Sequence, residues 1–315
     1  MSKIPPGTIV EGRVADMKGL AKEIRSLFKS QKIKEKNVAI SIGGHSVVLK
    51  TITTDARPEK ELHEAIYSEA KQYIPYDMDD VNIDYQILGE NEFSPDRMNI
   101  LIVAVKKDLV AEYIKLIQLA GLNPKIMDVD IFALQNTHEL LPYERQGKIV
   151  LFVDVGASRT SLNILKADSS LMMRDAESGT NQILEALSNQ YDVTIEDAEM
   201  AVNGESKNIM SPEDIQEICH HIIQSWTAEI CEFVNTYQSR ADQESIEKII
   251  LSGGGVFVEG FKDRLLSELD ADVSIINPFE GLIVNKKKFP DSFITNAGPL
   301  APIAIGLALR SVDDK

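Results

Sequence analysis

The sequence predicts an α/β protein built from two lobes. Its 315 residues exceed what one hydrophobic core usually holds, since single cores stop growing near about 250–300 residues. Hydrophobic residues make up 43% of the chain and charged residues 26%, which is typical of a globular protein. Two apolar strands, Ile149–Val153 and Ile249–Leu251, each run into a glycine turn, and the block between them is mostly helical. Strands and helices that alternate in this way indicate an α/β architecture.

The charge balance limits the class of partner. The formal net charge is −16, and so acidic a surface repels phosphate backbones and anionic lipid. We therefore expect no nucleic acid partner and no direct membrane insertion. No stretch reaches the ~18–20 apolar residues of a membrane span, and residues 1–7 lack the apolar core of a signal peptide. The two cysteines, Cys219 and Cys231, share one helical pattern and fit reduced thiols better than a disulfide, so we expect a cytoplasmic protein.

Apolar periodicity and turn residues assign the elements before the first glycine turn. The pattern predicts, in order, helix Leu20–Phe28, strands Val38–Ile42 and Val47–Ile52 around a turn at 43–46, a helix from Pro58 that ends before Pro75, strands Val81–Leu88 and Asn99–Val105 around a loop Gly89–Arg97, helix Asp108–Ala120, strand Lys125–Val129 and helix Phe132–Leu140. Residues 37–125 are thus predicted to form a compact β-rich insert.

The second half of the chain shows fewer strands. We expect a strand that starts near Ser161, helices over most of 178–240, a helix near Gly260–Leu269, a strand Val273–Ile276 and a helix over Gly298–Arg310.

The first candidate site motif follows the strand that begins at Ile149. The strand ends in Asp154, Gly156 makes the turn, and Ala157, Ser158 and Thr160 lead into the next strand. A glycine lets the backbone approach a phosphate and point N–H groups at it, and a hydroxyl such as that of Thr160 adds a donor. The Asp154 carboxylate suits Mg²⁺ held through water, because magnesium keeps most of its hydration shell. Any strand–turn–strand hairpin can carry the same residues, so the motif alone also fits a purely structural turn.

The second motif is the glycine run Gly253–Gly255, which follows an apolar strand and precedes a helix. This arrangement permits close backbone contact with a nucleotide. The glycine spacing differs from that of a dinucleotide-binding Rossmann turn. A crowded turn without a ligand remains the alternative.

Together the two motifs resemble the second half of the actin, Hsp70 and sugar-kinase superfamily fold. In that comparison, the turn after Asp154 is similar to the second phosphate loop and the run Gly253–Gly255 to the adenosine loop. The segment Gly298–Arg310 is similar to the second connecting helix. We expect Asp154–Thr160 and Gly253–Gly255 to converge from two strand ends on a common cleft between the lobes.

A narrower resemblance covers essentially the whole chain. The sequence resembles the PilM family of type IV pilus assembly proteins, which are actin-like and related to the division protein FtsA. The matching segments are Ile4–Gly12, Glu69–Tyr76, Asp84–Gly89, Asp128–Asp130 with Ala133 and Leu134, Gly253–Gly255, Asn277–Phe279 and Gly306–Arg310. The resemblance implies a first-lobe core from 1–36, 126–147 and 298–315, an FtsA-type inserted subdomain at 37–125, a second-lobe core from 148–177 and 247–297, and a helical subdomain at 178–246.

The resemblance also implies a function. Proteins of this family are expected to act as cytoplasmic scaffolds, peripheral to the inner membrane through protein partners. The implied partner is the N-terminal cytoplasmic peptide of PilN, a single-span membrane protein, held in a groove between the first lobe and the insert. Other inner-membrane and motor components of the pilus are implied as well, and a ring or other homo-oligomer is left open. The implied cofactor is ATP or ADP with Mg²⁺.

Four departures from the family pattern weaken the predicted nucleotide chemistry. The sequence begins after the family's first Asp-x-Gly motif, so we expect either a truncated sequence or the loss of half of the phosphate cradle. Glu199 keeps an acidic position beside the adenine, but Val202 stands where a lysine is usual, and Ser178 replaces the first glycine of a pair. Asp130 is the candidate catalytic residue, at the place of the glutamate that orients the attacking water. We expect weak or absent ATPase turnover; an active ATPase or a kinase of the same superfamily is the alternative.

Two other features keep open interpretations. Lys286–Lys288 is the only basic run, and it fits a solvated loop or a partner contact. Tyr73, Pro75 and Tyr76 fit either the edge of a groove or a helix cap.

Overall fold

The protein divides into two compact units in a computed structural model. The first unit comprises Met1–Asp130 with Arg310–Lys315, and the second comprises Ile131–Leu309. The structure describes residues 1–2, 4–5, 7–10, 12–44, 47–91, 94–138, 140–141, 148–167, 169–205, 210–239 and 244–311. Predicted features that include residues 6, 11, 45–46, 92–93, 142–147 or 312–315 therefore lie in part outside the described residues. The four-part domain arrangement stays a prediction.

The first unit includes the whole range predicted as the insert, 37–125. Its elements are β1 Ile9–Val10, β2 Arg13–Val14, α1 Met17–Ser30, β3 Asn37–Ile42, β4 Val47–Asp55, α2 Glu59–Ala70, β5 Val81–Asn91, β6 Ser94–Lys106, α3 Lys107–Leu119 and β7 Asn123–Val129. The predicted helices and strands of this region are confirmed to within a few residues.

Local chemistry explains where these helices begin and end. Asp16 caps α1, because its side chain accepts a hydrogen bond from the Gly19 N–H at 2.9 Å. Pro58 precedes the first residue of α2. Gly121, at a φ of 80°, follows α3 in a left-handed conformation that only glycine adopts easily.

The predicted loop Gly89–Arg97 is wrong over most of its length. β5 continues to Asn91 and β6 begins at Ser94, and these two residues pair across the hairpin. Polar and glycine residues dominate this end of the hairpin, so the apolar alternation that marks a strand is absent there.

The strands of the first unit form separate sheets. β3 and β7 pair in parallel, whereas β4, β6 and β5 form an antiparallel sheet with β6 in the centre. Helix α2 packs on one face of the three-stranded sheet through Leu62, Ile66 and Ala70, which meet Ile100 and Ile102 of β6. The insert is thus a small sheet with one helix on one face.

The second unit is a five-stranded sheet with helices. Its elements are α4 Asp130–His138, which starts at the unit boundary, β8 Ile149–Val155, β9 Thr160–Lys166, β10 Ser169–Ala176, α5 Asn181–Tyr191, α6 Ile195–Val202, α7 Pro212–Gln238, β11 Lys248–Ser252, α8 Phe261–Glu268, β12 Asp272–Ile275, α9 Asp291–Ala297 and α10 Pro302–Leu309. The sheet order is β10-β9-β8-β11-β12, with β8, β11 and β12 parallel and β9 antiparallel to both of its neighbours. β10 is an edge strand with a mixed polar pattern, which does not mark it as a strand in the sequence.

Apolar side chains fill both faces of this sheet. On one face the larger cluster joins Leu151 and Val153 to Trp226, Phe233 and Phe261 of the helices. On the other face Val150, Phe152 and Ile250 pack with residues that include Leu134, Leu141 and Ile276. β8 alternates between the two clusters, so it is buried on both sides, as its continuous apolar run predicts.

The helix predicted over Gly298–Arg310 is confirmed as an α-helix only from Pro302 to Leu309. Residues Gly298–Leu300 form a 3-10 turn, and α10 begins only at Pro302. Proline lacks an N–H and clashes with the preceding helical turn, so Pro299 and Pro302 interrupt the helix.

Across the described ranges no single helix has the length and apolar character needed to cross a membrane. Asp291–Leu300 and Pro302–Leu309, bent by 82°, pass that test as a pair on length and composition only.

Candidate functional site

The site is built where β8 and β11 end side by side in the second unit. Asp154 of β8 and Ser252 of β11 are register partners in a parallel pair. The Ser252 hydroxyl donates a hydrogen bond to Asp154 Oδ1 at 2.6 Å. Ser252 is fully buried and Asp154 is half-buried, so the hydroxyl fixes one carboxylate oxygen from beneath. Sequence reasoning missed Ser252, although its place directly before the glycine run was a usable signal.

The turn after β8 directs its carbonyl groups into the protein. The Arg159 carbonyl accepts from the Gly156 N–H at 2.8 Å, the Gly156 carbonyl accepts from the Thr180 N–H at 3.0 Å, and the Ala157 carbonyl accepts from the Asn181 N–H at 2.7 Å. Carbonyl oxygens repel a phosphate, and the three carbonyl oxygens of this turn each accept a hydrogen bond from a backbone N–H of the protein. Ala157 and Ser158 are exposed at the tip of this turn.

Thr160 has a different environment from the one that a phosphate donor needs. Its side chain is 2% exposed, and its hydroxyl donates to the Ser178 carbonyl at 2.8 Å. The hydroxyl therefore fastens β9 to the corner formed by residues 178–180. A phosphate contact by Thr160 stays a prediction that would require this bond to open.

The corner at 178–180 includes Ser178, which the sequence marks only as a departure from the family pattern, and the structure places this corner beside the turn after β8. A Cβ on Gly179 would lie 2.5 Å from the Ala157 carbonyl oxygen, so only glycine fits here. The Ser178 hydroxyl donates to Glu229 Oε2 on α7 at 2.7 Å. Gln182 Oε1 accepts from the Gly179 N–H at 3.3 Å and from the Trp226 indole N–H at 2.7 Å. Helix α7 thus holds the corner through Glu229 and Trp226. Ser178, which stands where the family usually has a glycine, is accommodated by its hydrogen bond to Glu229.

The glycine run contacts the same turn. A Cβ on Gly253, which has a φ of 81°, would lie 2.3 Å from the Val155 carbonyl oxygen, and one on Gly255 would lie 2.4 Å from the Val155 side chain. Gly254 differs, because the nearest atom to its added Cβ would be the Thr180 side chain at 3.8 Å. The first and third glycines therefore serve close packing against β8, whereas an added Cβ on Gly254 would make only ordinary van der Waals contact with Thr180. The two predicted turns do converge in the second unit.

The remaining predicted residues lie on other elements. Glu199 is half-buried on α6, a helix whose Ala198 and Ala201 join the larger core cluster. Asp130 is the first residue of α4 and itself belongs to the first unit. Its carboxylate lies against Gly43, since an added Cβ on Gly43 would be 2.3 Å from Asp130 Oδ2. An adenine contact for Glu199 and a catalytic role for Asp130 stay predictions. Among the described residues, no group of three or more His, Cys, Asp or Glu side chains is placed to hold a metal ion directly.

These residues fit one side of a phosphate and magnesium site. The neutral hydroxyl of Ser252 holds Asp154, and carboxylate oxygens are suited to accept hydrogen bonds from metal-bound water. An added Cβ on Gly254 would meet only the Thr180 side chain, at van der Waals distance, so packing within the unit does not require a glycine here. Magnesium bound there through water would neutralise phosphate charge; the chain's own contribution is to orient Asp154 and to keep the turns rigid.

A second surface of interest lies in the first unit, where the three-stranded sheet meets the β3–β7 pair. Ile42, Val105 and Leu109 form a small buried cluster. Half-buried apolar side chains surround it, namely Val47, Val103, Val110, Tyr113 and Met127. We call the half-buried set the junction surface. It lies on the sheet face opposite α2, because β6 places residues 100, 102 and 104 toward α2 and residues 103 and 105 away from it.

The sheet order and the converging glycine turns define an actin-like ATPase fold of the α/β class. A solved protein from the "PilM-PilN type IV pilus biogenesis complex" is similar over 99% of this chain and 90% of its own, with 26% identity and a TM-score of 0.88. The ethanolamine utilization protein EutJ from Carboxydothermus hydrogenoformans is similar over 96% of this chain and 78% of its own, with 14% identity and a TM-score of 0.51, which supports the fold alone. The family described as type IV pilus assembly protein PilM matches residues 1–312. The chain belongs to the PilM family, and the predicted family is confirmed.

Proposed function

We propose that this chain is a docking component of type IV pilus assembly that binds the N-terminal cytoplasmic peptide of PilN through its first unit. The observation that carries the proposal is its similarity, over 99% of its length, to a protein solved in a complex with PilN. The junction surface supports it, because half-buried apolar side chains beside a small sheet are the type of surface that takes short peptides.

The proposed binding mode uses both side chains and backbone. Val103 and Val110 offer apolar contact at the junction surface. β4 pairs only with β6 among the described strands, so its other edge keeps backbone groups that an extended peptide can pair with. Such a peptide would sink alternate apolar side chains into the junction surface.

The proposed binding to PilN also determines where in the cell the protein would be located. A partner with one membrane span and a short cytoplasmic segment would hold this chain at the inner membrane from the cytoplasmic side. The net charge of −16 favours protein partners over anionic lipid. Contacts with other pilus components belong to the same proposal.

Nucleotide binding is the second element of the proposal. Asp154, Gly156, Ala157, Ser158 and Gly254 would contact ATP or ADP with Mg²⁺, and Gly253 and Gly255 would hold the turns in place. The proposal is supported by the Ser252–Asp154 hydrogen bond and by Gly254, a position where packing alone does not require a glycine. We propose that bound nucleotide serves docking and that turnover is weak, with Asp130 as the residue that would orient water in any slow hydrolysis.

The peptide assay that tests docking uses the full chain. A fluorescent peptide with the N-terminal cytoplasmic sequence of PilN is titrated with wild type and with Val110→Asp, and anisotropy is measured. Burying a carboxylate in an apolar contact should weaken binding at least about tenfold. Leu119→Asp is the matched control, since Leu119 is an exposed residue of the same helix outside the junction surface, and it should bind as wild type does.

Folding is checked in parallel by thermal unfolding of each variant. If Val110→Asp lowers the Tm, the milder Leu49→Ser on β4 replaces it, because Leu49 is half-buried and pairs with Val103 in register. If Val110→Asp or its substitute Leu49→Ser binds the peptide as tightly as the Leu119→Asp control, or if wild type does not bind it, docking at this surface is refuted.

A further inference from the structure

Helix α7 carries the only tryptophan of the chain, and this side chain contacts both glycine motifs through their neighbours. Trp226 is 1% exposed. Its indole N–H donates a hydrogen bond to Gln182 Oε1 at 2.7 Å, and its ring meets the Phe261 ring edge-on, with the centroids 5.5 Å apart. Gln182 follows the corner at 178–180, and Phe261 is the first residue of α8, shortly after the glycine run. One buried side chain therefore contacts a segment next to each of the two motifs.

The contact with Gln182 leads to the turn after β8. Gln182 Oε1 accepts a second hydrogen bond, from the Gly179 N–H at 3.3 Å, so this one oxygen joins the indole to the corner. The corner in turn packs on Ala157, because the Asn181 N–H donates to the Ala157 carbonyl at 2.7 Å and an added Cβ on Gly179 would lie 2.5 Å from that oxygen. A shift of the turn would therefore pass to Gln182 and then to the indole N–H.

The contact with Phe261 leads to the glycine run. The Phe261 N–H donates to the Val258 carbonyl at 3.2 Å, and the Val258 N–H donates to the Gly255 carbonyl at 3.1 Å. Gly255 packs directly on β8, since an added Cβ would lie 2.4 Å from the Val155 side chain. Backbone hydrogen bonds thus connect the third glycine of the run to the residue on which the Trp226 ring packs.

Two other residues of α7 strengthen these connections. Glu229, one turn after Trp226, accepts a hydrogen bond from the Ser178 hydroxyl at 2.7 Å. Ile223, one turn before it, reaches the start of α8, because an added Cβ on Gly260 would lie 4.0 Å from the Ile223 Cδ1. Residues one turn apart share a helical face. Close-packed interiors transmit small displacements, so this face of α7 links the position of one turn to that of the other.

We propose that Gln182 and Trp226 are positioning residues, which hold the turn after β8 and the glycine run at the spacing that a nucleotide needs. Their contacts reach the turns through backbone atoms, so neither side chain has to touch the ligand. A nucleotide that binds both turns restricts their relative position, and the contacts of the indole follow that change. By linkage, contacts that favour the binding arrangement of the turns raise the affinity for nucleotide. This inference rests on the proposed nucleotide binding and adds residues that set the geometry of that site.

A buried tryptophan also fits a purely structural role, since the Trp226 ring belongs to the larger apolar cluster. The two roles differ in one observable quantity, the fluorescence emission of the indole. A tryptophan that only fills the core keeps its emission when nucleotide binds. A positioning tryptophan changes its emission, because the hydrogen bond between its indole N–H and Gln182 changes. The chain has one tryptophan, so the whole signal comes from Trp226.

The test combines tryptophan emission with isothermal titration calorimetry of the full chain. Mg-ADP is the ligand in both measurements, and calorimetry gives the affinity without use of the tryptophan. Wild type should show an emission change that saturates with the same Kd as the calorimetric titration. Gln182→Met keeps the length of the side chain but removes the acceptor, so it should bind Mg-ADP about tenfold more weakly. At saturation it should show less than about half of the wild-type emission change.

Two further variants separate positioning from misfolding. Gln182→Glu restores an oxygen acceptor, so it should bind Mg-ADP at least about threefold more tightly than Gln182→Met. Ser188→Ala is the matched control toward the other end of α5, where the Ser188 hydroxyl donates to the Val193 carbonyl at 2.6 Å. It should match wild type in affinity and in emission. Thermal unfolding checks the fold of each variant.

Each outcome decides the proposal. Calorimetric binding by wild type without an emission change would overturn the positioning role and leave nucleotide binding in place, as would a folded Gln182→Met with wild-type affinity. The emission measurement on wild type needs no variant, so it decides the matter alone if Gln182→Met unfolds. Failure of wild type to bind Mg-ADP in calorimetry would overturn both the positioning role and the proposed nucleotide binding.

Discussion

The hydroxyl of Ser252 donates a hydrogen bond of 2.6 Å to Oδ1 of Asp154, and this bond joins the ends of two adjacent parallel strands. The two residues come from the two glycine motifs, which lie far apart in sequence. The bond sets the direction of the only carboxylate that the first motif offers. The candidate nucleotide site therefore depends on a buried serine as well as on the glycines.

Ser252→Ala should weaken nucleotide binding and also lower stability. Loss of a buried hydrogen bond to a carboxylate costs about 1.5–3 kcal/mol of unfolding free energy. Without the Ser252 hydrogen bond the Asp154 carboxylate is no longer held in one direction, so the affinity for Mg-ADP should also fall by about tenfold. Equilibrium titration with a fluorescent ADP analogue measures the second effect.

Ser170→Ala is the matched control for that variant. Ser170 is also buried in the second unit, and its hydroxyl donates to Gln135 at 2.7 Å. It should lose about 1 kcal/mol of stability and bind nucleotide as wild type does. If both variants bind Mg-ADP as tightly as wild type, the Ser252–Asp154 bond has no part in binding.

Gly254→Ala should leave the fold intact and reduce nucleotide affinity. An added Cβ meets no atom closer than 3.8 Å, so the unfolding free energy should change by less than about 1 kcal/mol. The methyl group would instead occupy the space proposed for the ligand. Urea unfolding and nucleotide titration of the same variant separate the two effects.

Gly179→Ala serves as the contrasting variant. Its Cβ would lie 2.5 Å from the Ala157 carbonyl oxygen, and overpacking of this kind costs about 1–3 kcal/mol. Unchanged nucleotide affinity in a stable Gly254→Ala protein would show that no ligand approaches the glycine run.

The sequence predicted the elements that periodicity and turn residues mark clearly. The continuous apolar run of β8 and the stop at Gly121 are examples, and both match the structure. β10 was not predicted, because an edge strand needs few apolar residues. The break in the helix before Pro302 was not predicted, because small apolar residues continue across it and hide the effect of the proline.

Half of the candidate site was visible in the sequence for a physical reason. Gly156 and Gly254 lie at strand ends, and strand-end glycines are recognisable from neighbouring residues alone. Ser252 and the corner at Gly179 act through partners far along the chain, at Asp154 and Ala157, so spacing within one motif does not reveal them. Thr160 looked like a phosphate donor because its sequence neighbours do not show the Ser178 carbonyl that accepts its hydrogen bond.

The Asp128 carboxyl should make the stability of the first unit depend on pH. Burial raises the pKa of Asp128 above its ordinary value, and the Val129 N–H and the Arg310 guanidinium, 3.1 Å away, oppose that rise. The folded protein thus holds this proton more tightly than the unfolded chain does. The group favours folding below its ordinary pKa, and this contribution is lost as the pH rises through the raised pKa.

The measurement compares urea unfolding of wild type and Asp128→Asn between about pH 4 and pH 7. The stability of wild type relative to the variant should fall as the pH rises. Arg310→Ala removes the cation, so the pKa of Asp128 should rise further and the fall should move to higher pH. A difference that is constant, or that grows with pH, would contradict the assigned direction.

Hydrogen–deuterium exchange of the full chain, with and without the PilN N-terminal peptide, tests the central claim most directly. Bound peptide should slow exchange in β4, β6 and the first half of α3, because these elements carry the junction surface and the open sheet edge. Exchange around Gly156 and Gly254 should change far less. Saturating peptide that leaves the first unit unprotected, or that protects only the two glycine turns, would contradict docking at the junction surface.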